Sequence, residues 1–355
     1  MKLKLLFTVL FVSLMPLMAA DKKEKKEEKR KVEFFNTSDS LIRPHTIYRN
    51  PVNGLYYISS LDGHPNSDNG TAHISILSFE DFEFYETKKF KNPIIISTQF
   101  PKTKLHAPKG MAAWGDLLVL ADLDSLAIFK NEEGKKPRQI GRIKIKGAKN
   151  LNSIVRLDEA LYLTDSDAGG IFKVTDLENS KERKVEPLLK IPGASGMIYD
   201  GDKNSLLIVS SKVNNLYEYN LDDKKESKTY QIGPKLTKAQ AEVQNGFSSI
   251  CMGNQRELYF THYDRGEVMV YFRDEDRPGT ISKPMKYAKT FIKDLRTPTN
   301  IIYDKTFNRV GFVQFQYNLM TFKDGLPAQV TKEILDKKIE EDDKKKAPAK
   351  EAPKK

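Results

Sequence analysis

The chain is poor in the residues that most often carry catalysis or covalent bracing. Among 355 residues there are one cysteine, one tryptophan and five histidines. A lone cysteine, Cys251, excludes an internal disulfide, so stability has to come from packing. It sits in the apolar run Ile250-Cys251-Met252 and reads as a small buried hydrophobe rather than a nucleophile. Nothing matches a phosphate-binding loop or a zinc-binding helix, and Gly193-Ala194-Ser195-Gly196 lacks the spacing of a nucleophile elbow. After residue 20 no apolar run approaches the roughly 18 residues that a membrane-spanning helix needs.

What is present at the two ends is charge and one short apolar stretch. Residues 1–20 open on Lys2 and Lys4, continue through an apolar middle and end on Ala19-Ala20, the order of a secretory signal peptide. Residues 21–31 and 336–355 are dense in mixed charge with almost nothing apolar, and are expected to be disordered. The formal net charge of +11 includes these Lys-rich ends, in which acids are interleaved, so it gives little support to an anionic partner. Nucleic acid is not an expected partner of an exported chain. The expectation is a monomer in the periplasm or outside the cell.

Residues 32–335 repeat one pattern. A polar residue enters a short apolar segment at His45, Lys109, Asn152, Ser195, Asn245 and Thr299, at steps of 64, 43, 43, 50 and 54 residues. A second apolar segment follows each: Tyr56-Tyr57-Ile58, Leu118-Val119-Leu120, Leu161-Tyr162-Leu163, Leu207-Ile208-Val209, Leu258-Tyr259-Phe260 and Gly311-Phe312-Val313. Such spacing suits one four-stranded blade per copy, and a blade that cannot bury its own faces must stack on others around an axis. The predicted class is all-β, a six-bladed β-propeller with disordered charged termini. The ring closes either by pairing the run Val32-Glu33-Phe34-Phe35 with the segment at 319–322, or through residues 327–335.

First and second strands are antiparallel neighbours, so the start of one shares a face with the end of the other. That face gathers His45, Lys109, Asn152, Ser195, Asn245 and Thr299 with Asp122, Asp165 and His262, and is the expected channel mouth for a ligand. Asp122 and Asp165 read first as caps of the turns that follow them and second as cation ligands. The histidines read as hydrogen-bonded ring residues before they read as bases, and Lys109 as a rim charge or an anion partner.

Pro108-Lys109-Gly110-Met111, Leu161-Tyr162-Leu163-Thr164-Asp165-Ser166 and Leu258-Tyr259-Phe260-Thr261-His262-Tyr263 resemble segments of the SMP-30/gluconolactonase/LRE-like family and the neighbouring NHL-repeat propellers. The resemblance implies six blades and, in members that hydrolyse lactones, one divalent cation held by a Glu, two Asn and an Asp. Those positions fall here on His45, Asn152, Ser195 and Asn245, and only Asn152 agrees. A calcium-like ion wants six to eight oxygens, normally with carboxylates among them, and the missing Asp would also have been the base that activates water. The expectation is therefore no cofactor and a non-enzymatic binding or scaffold propeller for a small molecule, glycan or envelope protein. The alternative is a lactone or ester hydrolase with a rearranged site around one divalent cation such as calcium.

Overall fold

The computed structural model describes residues 33–36, 41–61, 70–77, 94–96, 104–132, 135, 137–179, 181–242, 246–276, 285–306, 308–317 and 319–324. The six copies each open on a strand: Pro44–Arg49, Pro108–Trp114, Leu151–Leu157, Ala194–Asp200, Phe247–Met252 and Pro298–Asp304. Each is the inner strand of a four-stranded antiparallel sheet. These sheets are blades 1 to 6 in chain order. Every inner strand touches the inner strands of both neighbouring blades, and that of blade 6 touches that of blade 1, which closes a six-bladed β-propeller.

Burial explains why these segments are strands at these places. The second strands Leu117–Asp122, Ala160–Asp165 and Ser205–Ser210 are buried at every residue, because the neighbouring blades cover both of their faces. Hence they read as continuous apolar runs. The outer strand Arg138–Lys144 of blade 2 is largely solvated: Arg138, Ile140, Arg142 and Lys144 are exposed and only Ile143 is buried. Cores form between blades: Leu207 of blade 4 packs in one cluster with Phe247 and Phe260 of blade 5, whose rings stand 5.2 Å apart.

Among the described residues, each hairpin between inner and second strand has one in the left-handed region: Gly54, Gly115, Asp158, Asn204, Arg256 and Asn308. Glycine, Asn and Asp tolerate that region. Arg256, at φ 65°, is tied down by its side chain: its Nη2 donates to both oxygens of Asp200 at 2.9 and 2.8 Å and its Nε to Asp276 at 2.9 Å.

Glu33–Asn36 pairs antiparallel with Leu319–Asp324, Phe35 opposite Met320, and supplies the outer strand of blade 6. Of the two ways of closing the ring this is the one realised. Residues 327–335, residues 1–20, expected to be a signal peptide, and the charged stretches 21–31 and 336–355 lie outside the described residues. No helix among the described residues is long and apolar enough to cross a membrane.

Candidate functional site

Every inner strand carries one extra residue close to its start. Pro44 pairs with Ser60 but Thr46 with Ser59; the same one-residue shift follows Pro108, Leu151, Ala194, Phe247 and Pro298. A bulge leaves its extra residue out of the ladder and re-aims the side chains beside it. The six bulges place His45, Lys109, Asn152, Ser195, Ser248 and Thr299 in one ring, and Thr46, Gly110, Ser153, Gly196, Ser249 and Asn300 in the next. Ser248 thus holds the blade 5 position that the repeat pattern gives to Asn245. Phe247 pairs with His262 as Ala194 pairs with Ser210, so the strand begins later than its sequence suggests. Asn245 itself lies outside the described residues.

The first ring ties blades together. Thr299 Oγ1 donates to the His45 carbonyl at 2.7 Å, Ser195 Oγ to the carbonyls of Phe247 and Ser248 at 3.0 and 2.6 Å, and Ser248 Oγ to the Pro298 carbonyl at 3.3 Å. Lys109 Nζ donates to Asn150 Oδ1. His45, Lys109, Ser195 and Thr299 are buried, and Asn152 is half-buried. His45 Nδ1 lies 3.2 Å from Thr46 Oγ1, with the ring edge-on to Phe315.

The two aspartates cap loops. Asp122 accepts the backbone N–H groups of His106 and Ala107 and a 2.7 Å bond from Arg142 Nη2. Asp165 accepts those of Lys149 and Asn150 on one oxygen and of Asp167 and Ala168 on the other. Their counterpart in blade 4, Ser210, accepts from Lys212 and Val213 in the same way. His262, opposite Phe247, packs edge-on against that ring at 5.4 Å. Burial, with Arg265 nearby, lowers its pKa to about 4. Burial and then the Lys109 charge hold His45 well below the ordinary histidine value. Both imidazoles are neutral near pH 7.

Lys109 is the charge in this ring. Desolvation lowers its ammonium to about 8, while Asp167, Asp165 and Asp122 act in the opposite direction. The chain thus places a cation of its own in the ring that holds His45, Asn152 and Ser195.

Below the rings, all six inner strands wall a central channel cavity of about 410 Å³. Its wall begins at Thr46, Gly110, Ser153, Ser249 and Asn300 and runs to Arg49, Tyr199, Gly253 and Lys305 at the hairpin face. None of the eight described residues among those singled out in the sequence, His45, Lys109, Asp122, Asn152, Asp165, Ser195, His262 and Thr299, lines it. His45, Lys109, Asn152 and Thr299 each miss by one position, because the bulge gives the channel to the residue that follows.

No protein-family model matches the sequence, and no curated protein matches it. Solved structures do match the fold. A virginiamycin B lyase from Staphylococcus aureus is 13% identical with a TM-score of 0.52, covering 83% of this chain and 99% of its own. A protein described as a putative gluconolactonase is 10% identical with a TM-score of 0.53, covering 83% and 94%. A β-propeller domain from Myceliophteria thermophila is 8% identical with a TM-score of 0.51, covering 83% and 100%. The shared property is the β-propeller. Identities this low carry the architecture and no chemistry.

The donor set does not fit the calcium-like ion that a gluconolactonase resemblance implies. His45 is neutral and next to a buried ammonium; the Ser195 hydroxyl is bonded on both sides, donating to two carbonyls and accepting from Gly196 N–H at 2.7 Å. Asp122 and Asp165 spend both oxygens on N–H donors. A divalent ion would have to displace these bonds and face Lys109.

Proposed function

We propose that this chain is an exported, non-enzymatic binding propeller of the cell envelope that takes its ligand in the central channel. One observation supports this above the rest: the ring that would carry a lactonase's ion is filled by the buried Lys109 ammonium and by side chains that join the blades. The channel beneath it has the volume of a small-molecule site. Export rests on the charged and apolar order of residues 1–20.

Thermal melts of the mature protein with calcium, manganese or zinc, each against chelator, test the reading. A ligand that binds only the folded state at a hundredfold excess over its dissociation constant stabilises by about 2.7 kcal/mol, so an occupied ion site would be plain. The expected outcome is no shift, no lactone hydrolysis, and a protein recovered outside the cytoplasm without residues 1–20. A calcium-dependent shift that Asn152→Ala abolishes, together with hydrolysis, would replace this reading with the hydrolase.

A further inference from the structure

The charge of the chain is spread unevenly, and the unevenness picks out one edge of the disc. Residues 1–31 and 336–355 carry +7 of the net +11, which leaves +4 on residues 32–335. Between Glu133 and Asp158 the chain has eight cations and no acid, so the rest of the propeller is net −4. Five of these cations, Arg138, Arg142, Lys144, Lys146 and Lys149, lie on the outer strand Arg138–Lys144 of blade 2 or in the loop that leaves it, and all five are exposed. That strand is hydrogen-bonded on one side only, to Ser125–Lys130. Arg142 Nη2 donates to the Lys104 carbonyl, which brings a further exposed lysine alongside. Asp122 neutralises Arg142 at 2.7 Å and Asp124 neutralises Lys144 at 3.1 Å. Lys104, Arg138, Lys146 and Lys149 make no ion pair among the described residues. Charges and a bulge on an edge strand also guard it against pairing with another chain. Blades 3 and 4 meet that need with mixed signs, Lys184, Glu186 and Lys190 on one outer strand and Lys225, Glu226 and Lys228 on the other, so guarding an edge does not require a single sign. Ile140 is the second feature: the ladder skips it between Gln139 and Gly141, and it is 48% exposed among the cations. Exposed cations around one exposed aliphatic side chain suit a surface that is anionic with an apolar layer beneath, which a soluble polyanion lacks.

We propose that the outer edge of blade 2 docks the propeller on an anionic phospholipid surface, with Lys104, Arg138, Lys146 and Lys149 meeting the headgroup phosphates and Ile140 entering between them. Attraction between opposite charges supplies most of the affinity and therefore fades with salt. Ile140 adds the second kind of contact that stable attachment of a peripheral protein needs. The contact uses no residue of the channel wall or of the polar ring.

The test is co-sedimentation of the mature protein with vesicles of phosphatidylcholine, alone or with about one-third phosphatidylglycerol, at about 0.1 M and about 0.5 M salt, with heparin as a soluble polyanion for comparison. Expected are binding to the anionic vesicles only, its loss at the higher salt, and partitioning weaker by about tenfold or more in the triple variant Arg138→Glu, Lys146→Glu, Lys149→Glu. A second triple variant, Lys225→Glu, Lys235→Glu, Lys238→Glu, changes the net charge by the same amount away from this edge and should lose less than about threefold. Ile140→Ser should weaken vesicle binding by about three- to tenfold and leave heparin binding unchanged. Every substituted side chain is exposed, so the variants should melt with the wild type. Equal losses in the two triple variants, or none in either, would mean that overall charge or the Lys-rich ends bind the lipid and would overturn this edge as the site. Vesicle binding unaffected by Ile140→Ser would overturn the bilayer as the occupant in favour of a polyanionic polymer. No binding to anionic vesicles at the lower salt would overturn the attachment outright, whatever the metal melts show.

Discussion

A lysine ammonium that is 3% exposed must be compensated or must surrender its proton. Lys109 does part of each: it bonds to Asn150 and lies in the field of Asp122, Asp165 and Asp167, yet its pKa still falls from 10.5 to about 8. The sign of the linkage follows from that direction. Below pH 8 both the folded and unfolded chains carry the charge, and the folded one bears the desolvation. Between about 8 and 10.5 the folded chain releases its proton first, so this group makes stability rise with pH across that window, by roughly 3 kcal/mol at most. Melts of the wild type and of Lys109→Met at pH 7.5 and 10 should show the wild type gaining on the variant. Parallel pH profiles would mean that Lys109 is not buried as a cation. Lys109 was legible in the sequence as a ring residue, but its burial was not, because the carboxylates that face it come from turns in blades 2 and 3 that only the closed ring brings together.

At the scale of the strand, the bulge decides what the channel sees. Gly110 and Gly196 follow the extra residue in blades 2 and 4, and each lies against the next inner strand. A Cβ on Gly110 would stand 2.7 Å from the Asn152 carbonyl oxygen, and one on Gly196 would stand 2.5 Å from Ser249 Cα. Since the obstacle is backbone, the strands themselves would have to part, which costs about 1–3 kcal/mol. Gly196→Ala should therefore lower the melting temperature by several degrees, while Gly141→Ala, whose Cβ would meet nothing within 4 Å, should not. Equal melts for the two variants would show that the inner strands are not in contact there. The alternation of apolar residues made the strands legible and the polar residue at each start conspicuous. A one-residue bulge leaves no mark in that alternation before pairing partners are known, which is why the predicted ring and the channel wall differ by one position.

The whole molecule is held closed by a strand borrowed from its other end. Glu33–Asn36 covers the edge of Leu319–Asp324, and without it blade 6 would offer unpaired N–H and C=O groups along an apolar strand. A chain beginning at residue 37 should melt earlier and less cooperatively than one beginning at residue 21, and should associate as concentration rises. Identical melts and a monomer at all concentrations would show that this pairing contributes nothing to closure. Between blades 4 and 5 the fully buried Arg273 adds a second kind of fastening, bonded to Asp200 at 2.5 Å and Glu218 at 3.2 Å. Its value lies in every member being paired, since an unpaired charge there would cost more than the pairs return.

By itself the sequence determined the number of blades and the order of the strands, while it left two ways of closing the ring, between which the structure chose the N-terminal run. Blade number and strand order follow from local apolar periodicity and from the need of each sheet to cover its two faces. It also determined that no complete catalytic set of a known kind is spelled out along the chain. The tertiary structure alone decided where the polar ring and the channel lie relative to each other. Side-chain direction at a bulge depends on the register between strands, and the charge around Lys109 is assembled from different blades whose spacing in the chain says nothing about their distance in space.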